Sequence, residues 1–217
     1  MEVSREDIWQ ALCERHSEAN QQKLAGARVA VAGLGGLGSN IALALARAGV
    51  GHLLLVDFDR VDVSNLNRQQ YFIRHLGQYK TDALREILKE VNPWLDIRTV
   101  CRKVTEKDIR ELFGEYDYIC EAFDRAEQKA MLVNAVLEQL PGKTLIAASG
   151  MAGYGKSNEI QTRKITPHFY LCGDRVSEST QEKPGEGLMA PRVALCAAHQ
   201  ANLVLELILG KEGTDNE

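Results

Sequence analysis

Cysteine is scarce and poorly placed for cross-linking. There are five, an odd number, at Cys13, Cys101, Cys120, Cys172 and Cys196, with no Cys-x-x-Cys pair. Such spacing disfavours a disulfide framework and a tetrathiolate zinc site alike. No stretch reaches the roughly 18 uncharged apolar residues of a membrane span. Charges in residues 1–7 stand where a secretory leader needs an apolar core, so a cytoplasmic protein is expected. Concentrated positive charge is missing as well: 26 Lys and Arg against 30 Asp and Glu leave a net charge of −4. With no Lys/Arg-rich run, the electrostatic footprint of indiscriminate nucleic-acid binding is lacking. The five histidines, His16, His52, His75, His168 and His199, fall at no ligand spacing and read as structural.

What is present is alternation. Residues 27–33 form an apolar run fit for a buried parallel strand, an Ala/Leu-rich stretch over 37–48 predicts a helix ended by Gly49, and 52–57 is a second apolar run ending in an acid. This is a βαβ unit. Leu84, Ile87, Leu88 and Val91 recur at helical spacing before Asn92-Pro93, and strands follow over 95–101, 116–121 and 145–149, with a helix over 125–139. The last third predicts a hairpin of strands 158–165 and 168–172 across Thr166-Pro167. A mobile loop over 173–189, with three Gly and one Pro, and a final amphipathic helix over 190–209 complete the chain. With 217 residues, no repeat and no linker, the expected fold is a single α/β domain: a Rossmann-like, doubly wound, mostly parallel sheet after an N-terminal helical segment, residues 1–24.

Ligands of such sheets lie beyond the carboxyl ends of the strands. There the first strand runs into Gly33-Leu34-Gly35-Gly36-Leu37-Gly38, a Gly-x-Gly-x-x-Gly pattern directly before a helix. Glycines there permit a tight turn and let backbone N–H groups and the helix N-terminus approach a phosphate, although close packing alone can also require them. Asp57, 24 residues beyond Gly33, can accept hydrogen bonds from a ribose, which NAD and ATP share. The next segment, residues 59–70, adds amides and a guanidinium to the same rim. Arg68 can fork onto phosphate oxygens and Lys80 can add a point charge, whereas either alone reads as a solvated surface cation.

The combination of the glycine turn with Asp57-Phe58-Asp59, Ser64-Asn65-Leu66-Asn67-Arg68-Gln69, Lys80 and Asp124 resembles the ThiF/MoeB/HesA family, relatives of the ubiquitin-activating enzymes, over about residues 15–210. Among its members the chain is most like the short sulfur carrier protein adenylyltransferases of thiamine biosynthesis. Gly187-Leu188-Met189-Ala190-Pro191 also resembles the family's return from its crossover loop. The resemblance implies attack by the C-terminal glycine carboxylate of a ThiS-like, Gly-Gly-ended carrier protein on the α-phosphorus of ATP, giving an acyl-adenylate and pyrophosphate. It further implies that Gly33, Gly35, Gly36 and Gly38 cradle the nucleotide and Asp57 holds the ribose. Asn65 and Arg68 would meet the phosphates, Lys80 the α- and β-phosphates, and Asp124 a Mg²⁺. Read alone, Asp124 fits a helix N-cap better, and Glu121 is not assigned as a ligand. A homodimer is implied, with Arg15 of the first helix supplied to the partner's site or, equally, an ordinary surface charge.

Departures from the family bear on the later chemistry. Its zinc-clamping cysteine pairs are missing here, so no zinc is expected, and residues 173–189 hold no cysteine for a thioester. Cys172 remains as a candidate thiol, against the commoner reading of a core cysteine, and Cys196 reads as packing. The glycine-rich run 147–155 is expected to line the groove that admits the carrier's tail. Three alternatives stand beside carrier activation: adenylation of a carboxylate on modified tRNA followed by dehydration, an NAD-dependent oxidoreductase, and a nucleotide-binding scaffold without catalysis. The acidic charge weighs against the first. Arg68, Lys80 and Asp124 would go unused in the second, and the third gives no reason for a complete phosphate-handling set.

Overall fold

The computed structural model describes residues 3–177 and 187–210. Two short helices open the chain, α1 (Arg5–His16) and α2 (Glu18–Gly26), broken at Ser17, whose φ of 76° is outside the helical range and whose hydroxyl caps α2. The N-terminal segment is thus two helices, the second running to Gly26. There follow β1 (Arg28–Ala32), α3 (Gly36–Arg47), β2 (His52–Val56), α4 (Lys80–Val91), β3 (Asp96–Val100), α5 (Ile109–Phe113), β4 (Tyr118–Glu121), α6 (Ala126–Gln139), β5 (Thr144–Ala148), β6 (Gln161–Thr166), β7 (Phe169–Gly173) and α7 (Ala190–Leu209).

The strands form one sheet in the order β3-β2-β1-β4-β5-β7-β6, parallel except for the β6–β7 hairpin, which turns at Pro167 and His168. This is the doubly wound arrangement that the alternating pattern predicts. The hairpin departs in one detail: Ser157–Glu159 is a 3₁₀ turn, so β6 begins at Gln161, and every residue of it is exposed. Chain order runs outward from β1 to β3 and then restarts at β4 on the other side of β1, making a switch point between β1 and β4. One core layer packs α2, α3, α4 and α7 on one face of the sheet, and a second packs α5 and α6 on the other. By length and composition α7 resembles a membrane span, but it lies along α3 and buries Val193, Cys196, Ala197 and Val204.

Two glycines set the geometry of the switch point. Gly33 has a φ of 93°, and a Cβ there would stand 2.6 Å from the carbonyl oxygen of Ala122 at the end of β4. A Cβ at Gly38 would fall on the carbonyl of Gly33 itself. The first turn of α3 therefore seats directly on the end of β1 because no side chain separates them. Gly38→Ala should cost about 3 kcal/mol by overpacking in urea denaturation. Gly26→Ala, with open space around it, should change stability by less than about 1 kcal/mol. Equal stability of the two variants would refute this packing.

Candidate nucleotide site

The turn between β1 and α3 is sewn to the loop that follows β2. Asp57, immediately after β2, accepts the N–H of Leu34 on one carboxylate oxygen (2.6 Å) and the N–H of Asp59 on the other (2.8 Å). Tyr71 donates its hydroxyl to the carbonyl of Leu34 at 2.8 Å. From α3, Ser39 Oγ accepts the N–H of Gln70, and Asn40 links the carbonyls of Gly36 and Arg68 to the Gln70 amide. These bonds press Arg68 and Gln69 against the glycine turn. A Cβ on Gly36 would stand 3.4 Å from the Arg68 stem and 2.9 Å from Val193 of α7.

Burial pushes the Asp57 carboxyl up, opposed by Lys80 and by its two backbone donors. Each carboxylate oxygen keeps a lone pair for a further donor such as a ribose hydroxyl. Gly35 caps α3 with no side-chain bond, and no backbone acceptor among the described residues takes the N–H of Gly35 or Gly36. Those groups, at the positive end of a 12-residue helix, suit an anion. Lys80 opens α4, is buried, and reaches Asp59 at 3.0 Å. Arg68 donates to the Ser64 carbonyl and the Asn67 side chain, while its buried Nε has no partner. Asn65 turns its Oδ1 back to the N–H of Asp62, closing a 3₁₀ turn over Val63–Asn65.

Across the switch point, Asp124 lies one residue beyond Phe123, whose backbone abuts Gly33. The N-cap reading of Asp124 is corrected: α6 begins at Ala126 with Arg125 in the cap position and no side-chain cap bond. Asp124 is exposed and makes no hydrogen bond among the described residues. Beneath it Glu121, fully buried, pairs with Lys129 at 2.8 Å and accepts the N–H of Phe123, while Lys129 also donates to the Phe123 carbonyl. Burial raises the Glu121 carboxyl and Lys129 opposes it. This pair fixes the turn that carries Asp124. Glu121 and Lys129 stand eight residues apart with no periodicity to join them, which is why the sequence did not mark the pair.

The glycine-rich turn after β5 borders a groove of about 810 Å³ lined by Gly153, Tyr154, Asp174, Ser177 and Arg192. Arg192 precedes Val193, whose side chain stands 2.9 Å from where a Cβ on Gly36 would lie. Leu188 bridges Gly153 and accepts a bond from Asn67. The expectation of a mobile loop over 173–189 is corrected at its ends: residues 174–177 and 187–189 are held to the turn, and 178–186 lie outside the described residues. The fastening is the buried pair Arg192–Asp174, with Arg192 also donating to the Lys156 carbonyl. Burial pushes the Asp174 carboxyl up, but the N–H groups of Ser177 and Val176, the Ser177 hydroxyl and Arg192 outweigh it and hold it at about 2.

Two sequence candidates sit elsewhere. Cys172, on β7 between β5 and β6, is fully buried, its thiol pushed up by burial to about 11, in the environment of a packing residue; Cys196 is raised the same way to about 12. Arg15 ends α1 at the opposite pole, where His16 bonds Gln21 and Gln21 bonds the Gly49 carbonyl ahead of β2. A smaller cleft of about 130 Å³ lies there between Trp9, Trp94 and His52. The length of β2, roughly 16 Å from His52 to Asp57, separates Arg15 from the rim of its own chain.

A buried acid, a bare helix start and a rim of cations converging at the switch point define a nucleotide-binding α/β protein. The chain belongs to the ThiF family, whose sequence profile matches residues 9–217. It is 32% identical over 202 residues to adenylyltransferase and sulfurtransferase UBA4 of Saccharomyces cerevisiae (strain YJM789), covering 91% of this chain and 45% of that protein. To the UBA4 of Candida glabrata it is 30% identical over 203 residues, 90% and 46% of the two chains. It thus spans less than half the length of these curated relatives. Among solved structures it superposes on E. coli tRNA N6-threonylcarbamoyladenosine dehydratase, TcdA, in complex with AMP, with a TM-score of 0.84, 22% identity and coverage of 97% and 98%. For E. coli MccB with ATP the TM-score is 0.67 at 22% identity, covering 88% of this chain and 59% of that one.

Asp174, held down at about 2 against an ordinary 3.8, contributes stability that is present above the unfolded value and is lost as pH falls toward the folded one. Asp174→Asn should therefore melt below wild type at pH 6, with the gap closing between about pH 4 and pH 2 as wild type protonates. A gap independent of pH would mean that the charge of Asp174 contributes nothing.

Proposed function

We propose that the chain is an ATP-using adenylyltransferase that activates the C-terminal glycine carboxylate of a ThiS-like ubiquitin-fold carrier protein, in sulfur transfer for thiamine biosynthesis. The observation that carries this reading is the meeting, at one switch point, of an uncapped helix start, the buried Lys80, the half-buried Arg68 and a carboxylate without a partner among the described residues. Hydride transfer uses none of the last three. Family membership and the likeness to proteins named adenylyltransferases support the same reading.

In the reaction a carboxylate oxygen attacks the α-phosphorus, a P–O bond forms, and the bond to the β-phosphate oxygen breaks to release pyrophosphate. Both reactants are anions, so the protein must offset charge. Asp57 anchors the ribose and thereby sets the α-phosphate over the first turn of α3. Arg68 and Lys80 approach the phosphates, Lys80 exchanging part of its pairing with Asp59 for them, and Asn65 offers its Nδ2. Fixed donors of this kind act most where charge grows in the transition state. Among the described residues no group of three or more His, Cys, Asp or Glu gathers, so a Mg²⁺ would rest on Asp124 and phosphate oxygens, the common arrangement for that ion. Bound there, it would neutralise charge on the phosphates.

Only a second copy could bring Arg15 to this rim, and an exposed apolar band on the segment between β2 and α4, with Phe58, Val63, Phe72, Ile73 and Tyr79, offers a face for it. We therefore include a homodimer in the proposal. A second reading, a carboxylate on tRNA as substrate, draws on the end-to-end match with TcdA.

The test is exchange of labelled pyrophosphate into ATP in the presence of Mg²⁺ and carriers ending in Gly-Gly. Exchange should require the carrier's free C-terminus and fall about 10²- to 10³-fold in Asp124→Asn or Arg68→Met. Mixing Asp124→Asn with Arg15→Ala subunits should restore part of it. Exchange that needs modified tRNA and ignores every carrier would establish the second reading; full activity of Asp124→Asn would remove the assigned Mg²⁺ role.

A further inference from the structure

We propose that the buried Glu121 and Lys129 are a positioning pair for Asp124, holding its carboxylate where the cation of a bound nucleotide can take it as a ligand. The inference rests on the ATP reading above and on the Mg²⁺ role given there to Asp124, and it assigns two side chains that this reading does not use.

Asp124 has nothing of its own to hold it. It is exposed, makes no hydrogen bond among the described residues, and α6 starts two residues later with no side-chain cap bond. Its place is set through the residue before it. The N–H of Phe123 donates to Glu121 Oε1 at 2.8 Å, and the carbonyl of Phe123 accepts from Lys129 Nζ at 3.0 Å. That carbonyl shares a planar peptide unit with the nitrogen of Asp124, so the backbone entering Asp124 is gripped directly. The two grips are joined to each other, with Lys129 Nζ 3.0 Å from Glu121 Oε1 and 2.8 Å from Oε2. The Ala122 N–H bonds the Ala32 carbonyl at 2.8 Å, and a Cβ on Gly33 would stand 3.0 Å from Phe123 N. The turn that bears Asp124 is therefore fixed relative to the glycine turn across the switch point.

Packing alone does not call for these residues. Glu121 is 0% exposed, and replacing a buried ion pair by apolar side chains of similar volume is often neutral or stabilising. What the pair supplies and apolar side chains cannot is direction, because each backbone group of Phe123 meets a charged partner. A hard cation demands direction: Mg²⁺ accepts oxygens at about 2.0–2.1 Å in near-octahedral geometry. A carboxylate displaced by about 1 Å is no longer a ligand, and such a displacement from outside the chemistry is enough to impair a site. Groups that orient a metal ligand from behind commonly account for about 10- to 100-fold in metal affinity. Glu121 and Lys129 carry opposite charges at contact distance, so the pair acts on Asp124 through geometry rather than through net charge.

The experiment is calorimetric titration of ATP, once with Mg²⁺ and once with EDTA, onto wild type, Lys129→Arg and the double variant Glu121→Gln/Lys129→Met. Each is made with Asp124 intact and with Asp124→Asn, and the ligand-free proteins are melted. The double variant removes both charges, so neither is left buried alone. In wild type Mg²⁺ should raise the affinity for ATP. The double variant should lose about 10-fold of that gain and keep the affinity measured in EDTA, while Lys129→Arg keeps both. In the Asp124→Asn background the double substitution should change nothing further, because the pair acts through Asp124. Should the double variant not fold, Glu121→Asp keeps the charge, draws the carboxylate back by a methylene, and should lower the Mg²⁺ gain as well. An undiminished gain in whichever variant folds would overturn this inference and leave the adenylation reading standing. Equal losses with Mg²⁺ and with EDTA, or a loss that persists beside Asp124→Asn, would overturn it in favour of a packing role. Wild type that binds ATP with no gain from Mg²⁺ would overturn it together with the Mg²⁺ role of Asp124, and wild type that binds no ATP would overturn the adenylation reading too.

Discussion

Everything at the rim hangs on one buried carboxylate. Asp57 holds the N–H of Leu34 in the glycine turn with one oxygen and the N–H of Asp59 with the other. One side chain therefore fixes the distance between the start of α3 and the loop that carries Asn65, Arg68 and Gln69. Its burial raises the cost of the charge, and the surroundings answer with two short donors and the nearby ammonium of Lys80. Such a group is dear to keep unless every bond is made. The close seat of Gly38 on Gly33, and of Gly33 on Ala122, makes those bonds possible, because a Cβ at either position would push the turn away.

From that joint the electrostatics follow. Helix α3 offers unused N–H groups and no acid in its first turn, Lys80 starts α4 on the same side, and Arg68 lies with its stem against Gly36. Opposite them, the turn after β4 holds an exposed Asp124 on a base of Glu121 and Lys129. Positive groups thus stand on one side of the switch point and an exposed carboxylate on the other, the arrangement that the proposed triphosphate and its cation require. The groove lined by Tyr154 and Arg192 lies at the start of α7.

Much of this was legible in the sequence for physical reasons. Buried parallel strands such as Arg28–Ala32 and His52–Val56 must be continuous apolar runs, and α4 carries a clean 3.6-residue stripe. The glycine turn announces itself because Gly33 and Gly38 leave no room for a side chain. What escaped lies where no period exists. Gln69 is buried by tertiary contacts in an irregular loop. Glu121 finds Lys129, and Asp174 finds Arg192, at separations that no sequence period marks and only the fold brings together. The break at Ser17 and the displacement of Arg15 to the far pole depend on how α1 and α2 pack, and β6, with no buried residue, has no alternation to mark its start.

The central claim is that this rim is built for the triphosphate of ATP and not for a dinucleotide, although Gly33 and Asp57 would serve either. Competition between ATP and NAD for the site, followed by displacement of a fluorescent ATP analogue from the wild-type protein, tests it most directly. Saturable ATP binding with NAD at least about 10-fold weaker, a difference of about 1.4 kcal/mol, is the result predicted. Displacement by NAD at concentrations where ATP fails would contradict the account.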